Sequence, residues 1–152
     1  MTVEIRQDDP TAAHVADLLA LHLTELRGIM SEFAFALDAT GLSVPEATFW
    51  TAWRDGQLAG FGALKQLDDR HGEVKSMRAA PEARGTGVGR AMLDHIIRQA
   101  RARGYERLYL ETGTADLHQP AIALYRKTGF ASCGAFADYQ PSPYNQFFEL
   151  NL

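Results

Sequence analysis

The chain has 152 residues, is 46% hydrophobic and carries a formal net charge of −4. That size and apolar content suit one globular domain over residues 1–152. The acidic balance argues against a sequence-independent nucleic-acid binder, which needs a positive field. Its one cysteine, Cys133, cannot form an intrachain disulfide, no Cys/His spacing suits zinc, and no apolar run resembles a membrane span or signal core, so cytoplasmic residence without a metal is expected.

Val3 to Arg6 alternates as a short strand, and Asp8-Asp9-Pro10 offers cap and first-turn residues for a helix. That helix sets Val15, Leu18, Leu19, Leu23 and Leu26 on one face, with His22 at its polar edge. A second, irregular helical segment is expected from about Gly28 to Leu37. Phe49 to Arg54 and Leu58 to Leu67 read as strands joined by Asp55-Gly56, a strong hairpin signal. Asp68 to Gly72 is a tight link into a strand ending at Ala79. Val88 to Arg103 is the clearest amphipathic helix and stops at Gly104, Leu108 to Thr112 is a strand, Pro120 to Thr128 a short helix ended by Gly129, and Asn145 to Leu150 a last strand.

Between the strand ending at Ala79 and the helix from Val88 lies Arg84-Gly85-Thr86-Gly87-Val88-Gly89. Alternating glycines let backbone approach an anion, and the first-turn N–H groups of the following helix are unpaired at the positive end of its dipole. The stretch therefore proposes a phosphate-bearing ligand. It is not the dinucleotide fingerprint, whose third glycine would fall at Arg90, and no Gly-Lys-Ser/Thr of a P-loop occurs in the chain.

What remains, Arg-x-x-Gly-x-Gly at a strand-to-helix junction with Pro81 before it, resembles the acyl-CoA pyrophosphate loop of the GNAT N-acetyltransferase superfamily. Ala121-Ile122-Ala123-Leu124-Tyr125-Arg126-Lys127-Thr128-Gly129-Phe130 is similar to a second segment of that family. Phe49-Trp50, Gly62 to Lys65, Gly72 to Arg78, Leu110 to Gly113 and Phe136 to Tyr139 suggest its YsnE-like branch of small bacterial acetyltransferases. The resemblance implies an α+β fold: a mixed, mostly antiparallel central sheet flanked by helices. Its central parallel strands, here Glu73 to Ala79 and Leu108 to Thr112, would splay to admit the pantetheine arm of acetyl-CoA.

By the same resemblance, backbone groups of Met77, Arg78 and Ala79 hold the pantetheine, and Gly85, Gly87, Val88, Gly89 and Arg90 meet the pyrophosphate, with Arg84 beside it. His118 stands where many relatives carry a cofactor-contacting asparagine. Tyr125 takes the place of the family's general acid, and an ordinary phenol stays protonated at neutral pH. Glu73 is the candidate general base, with Glu111 on the neighbouring strand as its rival. Phe33, Phe35, Asp38, Phe136, Asp138, Tyr139 and Tyr144 are candidates for an acceptor pocket of aromatic walls and carboxylates, and Lys75 with Arg78 leaves open an acceptor bearing a carboxylate.

The expected function is transfer of an acetyl group from acetyl-CoA to the primary amine of a small molecule, directly within a ternary complex. A ping-pong route is disfavoured because Cys133 lies outside both motifs. The competing readings are a non-catalytic acyl-CoA-binding sensor or regulatory module and a protein or peptide N-acetyltransferase. No nucleic-acid or membrane partner is expected, and a homodimer is left open.

Overall fold

In the computed structural model of the chain, residues 2–30 and 42–152 are described. Strands β1 (Glu4–Gln7), β2 (Ala47–Arg54), β3 (Gln57–Gln66), β4 (His71–Ala79), β5 (Arg107–Gly113), β6 (Ala131–Cys133) and β7 (Asn145–Asn151) form one sheet, ordered β1-β2-β3-β4-β5-β7-β6. Helices α1 (Ala13–Met30), α2 (Val88–Ala102) and α3 (Gln119–Thr128) flank it. Every strand pair is antiparallel except β4 with β5, which α2 connects by a crossover. This is the α+β mixed sheet that the sequence implies.

Local signals explain most boundaries. Asp55 and Gly56 both take positive φ, 54° and 77°, as a two-residue hairpin turn demands. Gly129 ends α3 in the left-handed conformation at φ 116°, and its N–H returns to Tyr125 O and Arg126 O. The start of α1 differs from expectation. Asp9 accepts from the Thr11 N–H and hydroxyl, at 2.8 and 2.7 Å, forming a turn that delays the helix to Ala13. Asp8 instead clamps β1 to its surroundings, meeting the His14 ring and the Thr51 hydroxyl at 2.7 Å each. Of the predicted face of α1, Val15, Leu18 and Leu19 are buried. The segment expected to be helical to Leu37 lies outside the described residues beyond Met30.

Register determines which side chains share a face. Leu64, Val74, Leu110 and Phe148 lie opposite one another across β3, β4, β5 and β7, and all are buried. On this face α2 buries Val88, Met92, Leu93, Ile96, Ile97 and Ala100, a three- and four-residue spacing whose larger members each contribute roughly 1.5–3 kcal/mol by burial. Tyr125 of α3 packs here too, its ring 6.5 Å from that of Phe148. The alternate row, Lys65, Glu73, Tyr109 and Glu149, points to the opposite face. There α1 brings His22 edge-on to Phe61 at 5.5 Å.

Close approach of α2 to β3 requires small residues beneath it. A Cβ at Gly60 would stand 2.5 Å from the backbone oxygen of Arg78 and 3.1 Å from Val88 Cγ1. Because a carbonyl cannot swing aside as a side-chain tip can, Gly60→Ala is expected to cost about 1–3 kcal/mol, the range of core overpacking. Urea denaturation of the variant checks this, and unchanged stability would show that β3 and β4 separate freely.

Candidate active site

The ladder between β4 and β5 runs from His71–Arg107 to Val74–Leu110 and stops. Beyond it β4 stays paired with β3 as far as Ala79–Gly60, and β5 with β7 as far as Gly113–Asn145. The two strands therefore part like a fork, and the backbone groups on their inner edges are released from the ladder. The cause is local to β4. Phe61 lies opposite Arg78 but Ala63 opposite Lys75, so one extra residue is accommodated on β4, and Ser76 carries it at φ 50°. Such a bulge bends the strand that contains it. Met77, Arg78 and Ala79 follow the bulge and line one side of the fork.

Both helices on the Val74–Leu110 face begin at the mouth of the fork. β4 leads through a turn at Pro81–Ala83 into α2, and β5 through a turn at Asp116–His118 into α3. Gly87 is the N-cap of α2 at φ 92°, no side chain caps the helix, and Gly85 is also left-handed at φ 75°. The first-turn N–H groups at Val88, Gly89 and Arg90 thus have no side-chain cap among the described residues. Gly89 differs from the other two: a Cβ there would meet only Leu124 Cδ2, at 3.5 Å. Gly85 and Gly87 are required by backbone conformation, whereas Gly89 keeps the surface above the helix start bare.

The cradle also has supports that sequence reasoning did not single out. Arg54, at the end of β2, donates to Thr86 O at 2.9 Å, and the Thr86 hydroxyl donates to Ala83 O at 2.5 Å. The Arg54 contact joins residues 32 apart in the chain, and no local pattern announces it. Arg84 and Arg90 are exposed beside the cradle, with Arg90 3.4 Å from Asp94 one helical turn on. His118 stands at the N-cap of α3 with a buried Nε2 that has no hydrogen-bond partner among the described residues, and burial lowers its pKa, keeping the ring neutral. The Ser76 hydroxyl is likewise buried and unpartnered. A ligand carrying amide and phosphate groups fits these donors and acceptors.

On the opposite face the two candidate carboxyls have different surroundings. Glu73 is 2% exposed and already engaged: it accepts from the Tyr139 hydroxyl at 2.5 Å and lies 3.2 Å from Lys75 Nζ. Lys75 in turn donates to the Tyr139 hydroxyl. Glu111 keeps a buried Oε2 without a partner among the described residues, and burial pushes its pKa up to about 7 against the pull of the Asn145 amide and the Lys75 ammonium, with the Glu73 charge adding to the rise. Burial and the adjacent Glu73 charge hold the Tyr139 hydroxyl firmly protonated.

Tyr125 is 6% exposed, edge-on to Phe130 at 5.8 Å, and burial raises its pKa to about 12. It remains a donor at any neutral pH. Of the expected acceptor residues, Phe136 stacks on Tyr109 at 4.9 Å and meets Tyr139 and Phe147 edgewise, while Asp138 and Tyr144 are exposed. Phe33, Phe35 and Asp38 lie outside the described residues. Cys133 sits on β6, away from both helix starts. A separate cavity of about 490 Å³, lined in part by Asp8, Asp9 and Phe49, lies against β1 and β2 rather than the fork. Among the described residues there is no group of His, Cys, Asp and Glu arranged to hold a metal, and no helix long and apolar enough to cross a membrane.

Comparison with known proteins agrees with this geometry. The chain is 45% identical over 152 residues to the uncharacterized N-acetyltransferase YsnE of Bacillus subtilis, covering 99% of this chain and 100% of that one. A Klebsiella pneumoniae protein described as an acyl-CoA N-acyltransferase superposes with a TM-score of 0.81 at 30% identity, covering 99% and 98% of the two chains. An Elizabethkingia anophelis GNAT family acetyltransferase, solved with acetyl-CoA bound, shares the fold at a TM-score of 0.72 and 16% identity, over 99% and 98%. The model of the Acetyltransferase (GNAT) family matches residues 7–130, and this chain is accordingly a member of that family, an acyl-CoA-dependent N-acetyltransferase.

Proposed function

We propose that the chain is a cytoplasmic enzyme that acetylates the primary amine of a small molecule directly from acetyl-CoA within a ternary complex. The observation that carries this reading is the fork itself. It joins a face where the uncapped start of α2 offers N–H groups to an anion and a face where Glu111 offers a buried, near-neutral carboxyl.

Glu111 accepts a proton from the acceptor ammonium, and the freed amine attacks the thioester carbonyl carbon. A β4 backbone N–H in the run Met77, Arg78 and Ala79 faces the oxygen that gains negative charge, the C–S bond breaks as the Tyr125 hydroxyl donates to the departing sulfur, and the remaining extra proton on the new amide nitrogen returns to the Tyr125 phenolate. Gly85, Gly87, Val88, Gly89 and Arg90 hold the pyrophosphate, with Arg84 and His118 beside the cofactor. Glu73, the base favoured from sequence, is poorly suited to that task because its carboxylate is held by Tyr139 and Lys75. The same contacts engage the Lys75 ammonium with Glu73 and Tyr139, so it is not offered to an acceptor carboxylate. The aromatic stack of Tyr109, Phe136 and Tyr139 over this face supports a small amine with an apolar body rather than a protein terminus.

Titration calorimetry is expected to show saturable binding of acetyl-CoA. Gly89→Val should weaken it at least about tenfold while leaving the fold intact, because its side chain occupies the surface above an anion-binding helix start. Binding unaffected by that change would sink the cradle assignment.

Kinetics with an amine found by screening separate the two chemical roles. Tyr125→Phe is expected to lower kcat about 10²-fold or more, the loss typical of a positioned acid, with little change in KM. Glu111 must be ionised to accept a proton, so the wild-type rate should rise with pH through about 7. Glu111→Gln should remove that rise along with most of the rate, and a rise that survives the substitution would assign the base elsewhere.

A further inference from the structure

The loop between β6 and β7 does more than cover the sheet. It places the Tyr139 ring against Phe136 at 5.1 Å and Phe147 at 5.8 Å, and Phe136 in turn stacks on Tyr109 of β5. This stack fixes the loop to β5 and β7, yet the Tyr139 hydroxyl reaches across to β4 and stands between Glu73 and Lys75. A loop residue thus spans the fork on its acceptor face. We propose that Tyr139 is a positioning residue: its hydroxyl holds the charges of Glu73 and Lys75 against each other, and so keeps the Lys75 ammonium off Glu111, leaving that carboxyl open to the acceptor amine.

The inference rests on the reading of Glu111 as proton acceptor, and the groups around Glu111 support it. From β4 it feels the Lys75 ammonium and the Glu73 carboxylate, from β7 the Asn145 amide, and from the loop the Tyr139 hydroxyl. The two β4 charges act on Glu111 with opposite sign, so their mutual pairing leaves burial as the dominant influence. Lys75 is 9% exposed and needs acceptors for its N–H groups. When the Tyr139 hydroxyl is removed, Lys75 loses one of them, and Glu111 is a further carboxylate that its charge already reaches. An ammonium drawn to Glu111 both occupies it and favours its ionised form, making it a weaker base and a closed site.

The test is a ¹³C NMR titration of the glutamate side-chain carboxyls in the whole protein without ligand, with Glu111→Gln used to assign the Glu111 resonance. In Tyr139→Phe, which retains the aromatic ring and its stacking, the Glu111 midpoint should fall by about one pH unit, the lower end of the effect of an opposite charge at close range. Lys75→Met, which leaves the loop contacts of the ring in place, should move the midpoint the other way, because the Glu73 charge then acts uncompensated. A Glu111 midpoint in Tyr139→Phe within about 0.2 units of a wild-type value near 7 would reduce Tyr139 to a loop staple and overturn the inference alone. A wild-type midpoint near the ordinary glutamate value would overturn the Glu111 base as well. Should Tyr139→Phe fail to fold, Lys75→Met decides: an upward shift upholds the electrostatic coupling on which the inference stands, and no shift removes it.

Discussion

A parallel strand pair that stays paired to its end offers a ligand nothing along its inner edges, because the ladder consumes each inward N–H and C=O. In this chain the pair comes apart after Val74 and Leu110, and the separation begins where β4 carries one residue more than β3 can match. Ser76 takes that residue's left-handed backbone without the help of glycine. The cost is borne because β3 and β7 keep pairing the outer edges of the fork throughout. Each later feature depends on this opening: exposed backbone near Met77, two helix starts at one mouth, and a passage between the faces of the sheet.

The two faces then meet different chemical demands. On the α2 and α3 side the fields come from the backbone, through helix starts left without side-chain caps and glycines that leave the surface bare, beside a His118 whose pKa burial lowers. On the other side they come from carboxyls and an ammonium set among aromatic rings. Burial there raises Glu111 toward neutrality, while Glu73, equally a carboxyl and more deeply buried, is tied to a cation and a phenol. Desolvation and pairing oppose each other for a buried acid. The engaged carboxylate of Glu73 and the raised pKa of Glu111 separate two residues that sequence reasoning could only treat as rivals.

Much of the scaffold was legible beforehand because its determinants are local. Asp55-Gly56 marks a hairpin, Gly129 a helix end, and the spacing of Val88, Met92, Ile96 and Ala100 a buried helical stripe, each requiring only a few adjacent residues to act. The start of α1 departs from its local signals for a related reason. Asp8 and Asp9 are good cap residues in isolation, but a turn at Thr11 and contacts to His14 and to Thr51, 43 residues away, employ them otherwise.

By itself the sequence determined the order of strands β1 to β5 and β7 and of helices α1, α2 and α3, the glycine loop before α2 and the position of Tyr125 on α3, since these follow from periodicity, from glycine's freedom of φ and from motif spacing. Only the tertiary structure decided where the parallel pair parts, because a bulge at Ser76 depends on register with β3 and bears no glycine or proline to mark it. It likewise decided the fates of Glu73 and Glu111. The hydroxyl that engages Glu73 comes from Tyr139, 66 residues along the chain, and the burial that raises Glu111 comes from the packing around β5. A carboxyl's proton affinity is set by what surrounds it in space, and no stretch of adjacent residues contains that information.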